Sequence, residues 1–480
     1  MEKRLTIVQM NDSHAYLDLH PELFWEKGQV VYRMAGGFAR VATLLKQIRA
    51  ENPGRVMFVD GGDTFHGTYP AVATKGDALV PILNALKPDG MTAHWEFAYT
   101  PRGFQALAQQ LTYPMLAMNV YHKGSSDLLF PPYTVVEVGG LRVGLAGIAS
   151  NIVDKTMPPS FSEGAFFTDG RAELPSMIEE LRIREQVDLV ALVSHLGFPQ
   201  DMQLMSEVRG VDVDLSAHTH HRLETAVRQG SALVTQAGSH AAFLTRLDLI
   251  IENGKITDFK HRLIEVAQSV EPDPEVEALV RQALAPFHEQ LSEVVGETRV
   301  PLDRGRSLES TMDNLLLEAL LDHTGAQAAF SNGWRYGAPI LPGPIRMNDL
   351  YNMAPMNPPV STVELTGAEM KDMLEENLEH TFSREPFQQM GGYLKRALGL
   401  RAFIKMENPA MQRIQKLFIG QEEAQPEKTY RAAFITEQGV PGKYGANRQA
   451  LPEKTIDVLR AYVRKCDPIE TELRETFIAV

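Results

Sequence analysis

At 480 residues the chain is too long for one ordinary hydrophobic core, so two or more domains are expected. Its hydrophobic content of 44% and charged content of 22% are typical of a soluble globular protein, and its net charge of −14 argues against a large nucleic-acid-binding surface. The single cysteine, Cys466, excludes an intramolecular disulfide and a cluster of thiolate ligands.

The first predicted element is a strand over residues 5–10. The few residues before it leave no room for the apolar segment of a secretory leader, and no apolar run elsewhere reaches the length of a membrane span. The chain is therefore expected to be cytoplasmic and to have no membrane partner, or to be periplasmic if a leader was removed. Asp12 and His14 follow the strand and can share one side of a turn; a polar turn that caps the next element is the alternative.

A buried strand that leads to Asp63 is the central feature of the first half. A helix is predicted over residues 41–49, and the apolar run at residues 56–59 leads through two glycines to Asp63. This order of elements is a βαβ arrangement: a strand, a polar turn, a helix, a second strand and a second polar turn. Such an arrangement brings the polar groups together at the carboxyl edge of a parallel sheet. A carboxylate at this edge could bridge two metal ions if further ligands arrive from other loops.

The next loop places His94 beside the large aromatic side chain of Trp95. A predicted helix over residues 78–86 precedes this loop, and a helix over residues 103–111 and a strand over residues 113–120 follow it. Taken alone, this loop favours a structural histidine that is packed and hydrogen-bonded beside Trp95.

Two later apolar strands also end in histidines. The strand predicted at residues 187–194 ends in His195, and the strand at residues 213–217 ends in His218 and His220. The other predicted elements here are a hairpin at 133–148, a helix at 172–185, and strands at 232–236 and 245–251. His240 is either a partner of the ligands or a surface residue. Because imidazole and carboxylate groups recur at so many strand ends, the sequence predicts a metal site in this half.

These motifs, in this order, resemble the calcineurin-like metallophosphoesterase superfamily, and within it the 5′-nucleotidase family. The resemblance implies an α/β fold with a four-layer αββα catalytic sandwich at residues 1–268, a linker helix at 269–293, and a smaller α+β 5′-nucleotidase C-terminal domain at 294–480. It also implies two divalent metal ions, manganese or zinc, and attack on the ester by a bridging hydroxide. The implied ligands are Asp12, His14 and His220 for one ion, His94, His195 and His218 for the other, and Asp63 as the bridge between them.

The loop at His94 departs from the family motif Gly-Asn-His-Glu-Phe-Asp, in which asparagine binds a metal and the histidine and aspartate form a catalytic pair. In register, His94 occupies the asparagine position, Trp95 the histidine position and Ala98 the aspartate position, so the usual general acid is absent. This variant is similar to the SoxB branch of the family, which hydrolyses sulfate from a thiosulfonate on a carrier-protein cysteine. A thiolate leaves more readily than an alkoxide, so the loss of a proton donor is tolerable there.

The second half begins with an acidic helix at residues 271–289, which is either the linker between the domains or an outer helix of the first domain. Residues 308–315 resemble the family motif Glu-Ser-x-x-Gly-Asn-Leu, with Asp313 in place of glycine. In this motif Asn314 is implied to contact the substrate. A further strand, helix cap and helix are predicted from residue 363, as scaffold.

The remaining substrate residues are implied by two glycine-containing segments. Arg335 would point its guanidinium group at a phosphate or sulfonate, although a lone arginine in such a turn is more often a surface residue. Phe387 aligns with one ring of the family's nucleoside clamp. Phe434 stands near the position of the other ring but lacks the Gly-Gly-Asp-Gly loop, so it is expected to pack in the core.

The sequence thus predicts a metal-dependent hydrolase of a phosphate or sulfate-type ester, with Asp63, His94 and Arg335 as its catalytic residues. Its substrate would be a small anionic phosphate or thiosulfonate ester, either free or carried on a protein arm. Two alternatives stay open. One is a genuine 5′-nucleotidase of nucleotide catabolism, and the other is a catalytically silent metal-binding module that binds a ligand or a partner.

Overall fold

Two β-sheets form the centre of the first half of the chain in the computed structural model, which describes residues 2–480. The chain divides into two units. Unit 1 comprises residues up to His20 together with Met34–Pro286, and unit 2 comprises Pro21–Arg33 together with Phe287–Val480.

The central strands of both sheets of unit 1 run parallel to a neighbour. Met10 is the register partner of Asp60, and Ser194 is the register partner of Ser216, so each pair of strands ends at one edge of its sheet. In order, the first sheet contains Lys255–Glu265, Phe243–Glu252, Glu2–Met10, Val56–Asp60 and Gly90–Met91. In order, the second contains Val227–Gln229, Ala232–Thr235, Val213–Ser216, Leu189–Ser194, Leu141–Ile148 and Tyr133–Val138.

Apolar side chains from both sheets meet in one core. Its buried members include Leu5, Ile7, Met57 and Val59 from the first sheet and Val143, Leu145, Leu189, Val193, Val213 and Leu215 from the second. Burying a side chain of this size contributes roughly 1.5–3 kcal/mol, so the interface between the sheets stabilises unit 1 strongly. The accompanying helices are Phe38–Glu51, Tyr69–Ala73, Val80–Leu86, Pro101–Ala108, Val153–Thr156, Glu173–Glu179, Phe198–Glu207 and Pro274–Leu284. The predicted α/β class with a two-sheet core is confirmed.

One predicted strand of unit 1 is wrong. Residues 113–120 are apolar and largely buried, but they form no continuous strand. The N–H groups of Leu116, Ala117 and Met118 donate instead to carbonyl groups of three different segments, at 2.8–3.0 Å. The run is therefore apolar because it is buried between other segments, and a strand is assigned only at Val120–His122.

The acidic helix packs in unit 1, which is the second of the two alternatives for this segment. It spans Pro274–Leu284, and Asp273 is its N-cap, whose side chain accepts a hydrogen bond from Val276 N. Asp273 also joins the helix Phe38–Glu51, because its N–H donates to Ala39 O at 2.9 Å and its carboxylate pairs with Lys46 Nζ at 2.5 Å. The boundary between the two units falls after residue 286.

A second difference from the predicted boundaries concerns residues 21–33. They belong to the hairpin of His20–Glu26 and Gln29–Ala35 and are grouped with unit 2, although they lie inside the predicted range 1–268.

Unit 2 is an α+β unit with one larger sheet. The predicted strand, cap and helix near residue 363 are confirmed, since Thr366 and Glu369 form a capping box between Pro359–Thr366 and Gly367–Phe382. In order, the larger sheet contains Tyr393–Leu398, Ala328–Gly333, Thr429–Phe434, Pro359–Thr366 and Ala446–Lys454. A second sheet contains Glu422–Glu423, Ile414–Ile419, Leu400–Ile404 and Phe477–Ala479, and a pair is formed by Val294–Thr298 and Gly343–Arg346. The other helices are His288–Ser292, Thr311–Thr324, Met347–Met353, Thr436–Gly439 and Thr455–Lys465.

Among residues 2–480, no helix combines the length and the apolar character that crossing a membrane requires.

Candidate metal centre

The loops at the carboxyl edges of the two sheets of unit 1 bring together all seven ligand-type residues that the sequence singled out. They form two groups, and within each group one ligand atom per residue lies within 4.8 Å of the others. The first group contains Asp12, His14 and His220, and the second contains Asp63, His94, His195 and His218.

The first group has the spacing of ligands around a single cation. His220 Nε2 lies 3.2 Å from His14 Nε2 and 3.2 Å from Asp12 Oδ1. Nitrogen and oxygen atoms bound at about 2.0–2.2 Å to one metal ion are separated from each other by roughly 3–3.6 Å. The arrangement of these three side chains therefore fits a bound divalent cation.

Asp63 faces both groups. Its Oδ2 atom lies 3.2 Å from His94 Nδ1 and 3.3 Å from His195 Nε2 in the second group. The same oxygen lies 3.8 Å from His14 Nε2 in the first group. One carboxylate oxygen of Asp63 therefore lies near histidine nitrogens of both groups.

Hydrogen bonds to the backbone orient the ligands. His195 Nδ1 lies 2.6 Å from Gly61 O and His14 Nδ1 lies 3.2 Å from His66 O, which makes Nδ1 the protonated atom and leaves Nε2 for a metal ion. Asp12 Oδ2 accepts hydrogen bonds from Asn11 Nδ2 at 2.7 Å and from His218 N at 2.9 Å, so Oδ1 is the atom directed at the group.

Two ligand atoms lack a partner that a metal ion would supply. Asp12 Oδ1 and His195 Nε2 are buried and make no hydrogen bond of acceptable geometry. A buried polar atom without such a bond is costly, and coordination to a cation would remove that cost. The residues present therefore fit a pair of metal ions.

The ligand loops are strained at the backbone. Five of the seven residues adopt the left-handed conformation, with φ of 51° at Asp12, 47° at His14, 57° at Asp63, 74° at His218 and 57° at His220. Each such residue costs about 1–2 kcal/mol, which the surrounding structure must offset. Strain of this kind concentrates where side chains must be aimed at a ligand.

A glycine is required immediately before Asp63. Gly62 has a φ of 86°, and a Cβ atom built on it would lie 2.6 Å from Thr92 O. The loop that carries Asp63 and the loop that carries His94 therefore touch through their backbones, which explains one of the two glycines that end the strand Val56–Asp60.

Burial and mutual attraction set the charges of the ligands. Burial raises the pKa of the Asp63 carboxyl, but His94 and His195 outweigh burial and hold that pKa well below its usual range. Burial lowers the pKa of His14 to about 3. At neutral pH, therefore, Asp63 is ionised and His14 is neutral, which are the forms that bind metal ions.

Glu96 is a functional residue that sequence reasoning missed. Its fully buried carboxylate accepts hydrogen bonds from Thr64 N at 2.6 Å, Phe65 N at 3.2 Å and His94 N at 2.8 Å. It thereby joins the loop after Asp63 to the loop at His94. The available signal was a carboxylate inside an otherwise apolar loop, which needs buried donors as partners.

An aromatic stack forms at Trp95, the residue that the sequence resemblance aligns with a catalytic histidine. The buried Trp95 ring lies parallel to the His66 ring, with 4.7 Å between centroids and 18° between planes, and it meets the edge of Phe161 at 6.1 Å. Burial lowers the pKa of His66 to about 4, so that imidazole is neutral at pH 7. Ala98 is half-buried and offers only a methyl group. Neither Trp95 nor Ala98 can donate a proton to a leaving group.

The predicted substrate residues all lie in unit 2. Both amide hydrogens of the buried Asn314 are used within that unit, by Glu309 Oε1 at 2.7 Å and Glu472 O at 2.8 Å, which favours a structural role. Arg335 is half-buried and donates from Nη2 to Gly392 O at 3.0 Å. Phe387 is half-buried in the short turn Pro386–Gln388.

Phe434 is buried in the core of unit 2, as expected from its sequence context. The Arg448 guanidinium lies 4.8 Å from the centre of its ring. Packing on this scale accounts for the residue without a role in stacking on a base.

Asp313, which replaces the family's glycine, holds two buried arginines. Arg304 Nε and Arg396 Nε donate to opposite oxygens of its carboxylate at 3.0 and 2.9 Å, and all three side chains are buried. The substitution therefore follows from a buried ion network, because an arginine in the interior needs a charged partner.

Comparison with known proteins confirms the predicted resemblance. Residues 293–436 match the family described as 5′-nucleotidase, C-terminal domain. The nucleotide phosphoesterase YfkN of Bacillus subtilis is 23% identical over 86% of this chain, which spans only 30% of that longer protein. Human 5′-nucleotidase is 26% identical over 81% of this chain and 74% of its own length.

Two solved structures share the fold over nearly the whole chain. Thermus thermophilus sulfate thiohydrolase SoxB, in complex with glycerol, has a TM-score of 0.93 at 24% identity and covers 99% of this chain and 96% of its own. A 5′-nucleotidase precursor from Thermus thermophilus has a TM-score of 0.86 at 24% identity and covers 99% of both chains. The fold is therefore the two-domain fold of 5′-nucleotidases and SoxB, and residues 293–436 form its C-terminal nucleotidase domain.

Proposed function

We propose that this chain is a dinuclear metal-dependent hydrolase, akin to 5′-nucleotidases and SoxB, that cleaves a phosphate or sulfate-type ester. The observation that carries the proposal is the pair of adjoining ligand groups that face one oxygen of Asp63. The sequence relatives support it, since their names are those of phosphoesterases, apyrases and 5′-nucleotidases.

The ligand set suits manganese, with zinc as the alternative, because imidazole and carboxylate together favour these ions over calcium. Asp12, His14 and His220 would hold one ion, His94, His195 and His218 the other, and Asp63 would contact both. Two such ions supply Lewis-acid stabilisation of the ester oxygens and activation of the attacking water. The chain's own contribution is to fix the tautomers of His14 and His195 through backbone carbonyl groups and to exclude bulk water, since six of the seven ligands are buried.

The stack of Trp95 on His66 favours a SoxB-like substrate over a nucleotide. An alkoxide such as the ribose 5′-oxygen needs protonation as it departs, and Trp95 and Ala98 offer no donor for it. A thiolate departs without one. We therefore propose a thiosulfonate or a comparably activated ester as the substrate class.

Genuine 5′-nucleotidase activity is the second candidate, and the identity to human 5′-nucleotidase over most of the chain supports it. Under this alternative, the leaving 5′-oxygen would receive its proton from solvent, so turnover of AMP would be slow compared with turnover of an activated phosphate ester.

The test is turnover of p-nitrophenyl phosphate, AMP and a cysteine S-thiosulfonate peptide by protein stripped with a chelator and then reloaded with manganese. The proposal predicts that stripping abolishes hydrolysis, that manganese restores it, and that AMP is the poorest substrate. Asp63→Asn should be inactive, whereas replacement of the exposed His122 by glutamine should leave the rates unchanged. Complete inactivity on all three substrates, with two metal ions bound, would support a silent metal-binding module instead.

A further inference from the structure

We propose that His20 and His240 form a third cation site beside the two ligand groups, for a borderline divalent metal ion such as zinc. Neither residue belongs to the seven ligands described above. His240 is buried rather than a surface residue, with 4% of its area exposed, and His20 is 7% exposed.

The two imidazoles are close enough to share an ion. They offer ring nitrogens that lie within 4.8 Å of each other. Their rings meet edge to face with 5.9 Å between centroids, and Tyr16 packs against both, at 4.7 Å from His20 and 4.6 Å from His240. Imidazole nitrogen suits zinc, copper and nickel, and water would fill the positions that the two histidines leave open.

His20 is oriented in the same way as the ligands of the dinuclear centre. Its Nδ1 lies 3.0 Å from the backbone oxygen of Asp18, so Nδ1 carries the proton and Nε2 is the acceptor. His14 and His195 show the same arrangement, with Nδ1 on a backbone carbonyl group. A carbonyl partner on Nδ1 is characteristic of metal-binding histidines.

His240 is also held like a ligand. It adopts the left-handed conformation with a φ of 59°, and its N–H donates to Asp12 O at 2.8 Å. Its ring centroid lies 6.1 Å from those of both His14 and His220, so the site adjoins the first ligand group. A strained residue bonded to the backbone of a ligand is expected where a side chain must be aimed.

The His20 ring packs against a position that has no side chain. Gly36 has a φ of 84°, and a Cβ atom built there would lie 2.4 Å from His20 Cε1 and 3.1 Å from His240 O. Any other residue at this position would displace the imidazole. The backbone is thus shaped around the place where the two histidines meet.

The experiment is a zinc titration of metal-free protein, with bound metal measured by equilibrium dialysis and elemental analysis. We expect the wild type to bind three equivalents, His20→Gln and His240→Gln two equivalents each, and the double variant also two, because both residues serve one site. His122→Gln controls for adventitious binding at an exposed histidine and should keep three equivalents. Circular dichroism of each metal-free variant checks that it is folded.

The loss of one equivalent in each single variant and in the double variant supports the third site. Unchanged stoichiometry in both single variants contradicts it, as does a wild type that saturates at the same value as the double variant. The dinuclear centre is assessed separately with His195→Gln, which removes a ligand of that centre and leaves His20 and His240 intact. Failure of one site can therefore be distinguished from failure of the other.

Discussion

Replacing Glu96 by glutamine tests whether one carboxylate holds the two central ligand loops in place. Oε1 of Glu96 accepts hydrogen bonds from Thr64 N and Phe65 N. Oε2 accepts one from His94 N at 2.8 Å and a longer one from Asp63 N at 3.4 Å. Glutamine keeps the shape of the side chain but converts one oxygen into an N–H donor. In either orientation, therefore, a buried backbone N–H group faces another donor.

The cost follows from the hydrogen bonds lost. A hydrogen bond to a charged acceptor contributes about 1.5–3 kcal/mol, and a buried donor without an acceptor costs about 1–3 kcal/mol. The better orientation of glutamine keeps the bonds from Thr64 N and Phe65 N and loses the bond from His94 N together with the longer bond from Asp63 N. Burial also raises the pKa of Glu96, which offsets part of the benefit of its charge. We expect Glu96→Gln to lower the free energy of unfolding by about 2–4 kcal/mol.

Metal affinity is the more specific measurement. Because the backbone of His94 loses its anchor, we expect Glu96→Gln to bind manganese roughly 10–100-fold more weakly, as measured by competition with a chelator. Glu375→Gln is the matched control. The buried Glu375 accepts backbone N–H bonds from Arg413 and Ile414 at 3.0 and 2.6 Å in unit 2. It should lose stability in urea to a similar degree and keep its metal affinity. Wild-type affinity in Glu96→Gln, or equal weakening in both variants, would refute the reasoning.

Three further predictions concern the leaving group, pH and the buried ion network. The rate at which the wild type hydrolyses aryl esters should fall steeply as the pKa of the leaving phenol rises. The double variant Trp95→His, Ala98→Asp should make this dependence shallower, because it restores a proton donor. An unchanged slope would argue against the alignment of Trp95 and Ala98 with the catalytic pair. Burial raises the pKa of Asp201 from 3.8 to about 7, so between these pH values the folded protein keeps a proton that the unfolded chain releases. The contribution of this proton to the free energy of unfolding is complete below about pH 4. It is lost as the pH rises to about 7, at up to roughly 1.4 kcal/mol per pH unit. Thermal melting of metal-free protein across this window should show that loss in the wild type and a smaller one in Asp201→Asn, and parallel curves would contradict it. Asp313→Gly leaves two arginines buried without their carboxylate and should cost about 3–5 kcal/mol in urea unfolding; a loss below about 1 kcal/mol would show that the network contributes little.

Most of the candidate ligands could be found from the sequence because they follow short apolar runs, whereas His94 was assigned as a ligand through the family resemblance. Asp63 and His195 each follow such a run, and in parallel strands the chain leaves at one edge of the sheet. Local pattern therefore carries both the element and the position of its terminal side chain. Local pattern also predicts the helix after Thr366, because a threonine N-cap followed three residues later by Glu369 is the capping-box motif.

Contacts between distant segments could not be found in this way. Glu96 accepts hydrogen bonds from backbone N–H groups that lie 32 and 31 residues earlier in the chain. The arginine partners of Asp313 lie 9 and 83 residues away from it. The predicted strand at residues 113–120 failed for a related reason. Its apolar composition reports burial, but hydrogen bonds to three different segments, rather than to one neighbouring strand, decide its conformation.

The central claim is that two metal ions sit on either side of Asp63, and electron paramagnetic resonance of the manganese-loaded protein tests it most directly. At two equivalents of manganese per chain, we predict the signal of an exchange-coupled pair of ions in the wild type, because ions that share a carboxylate oxygen interact magnetically. Asp63→Ala should convert this signal into that of isolated ions. A wild-type spectrum of isolated, uncoupled manganese at two equivalents would contradict the account.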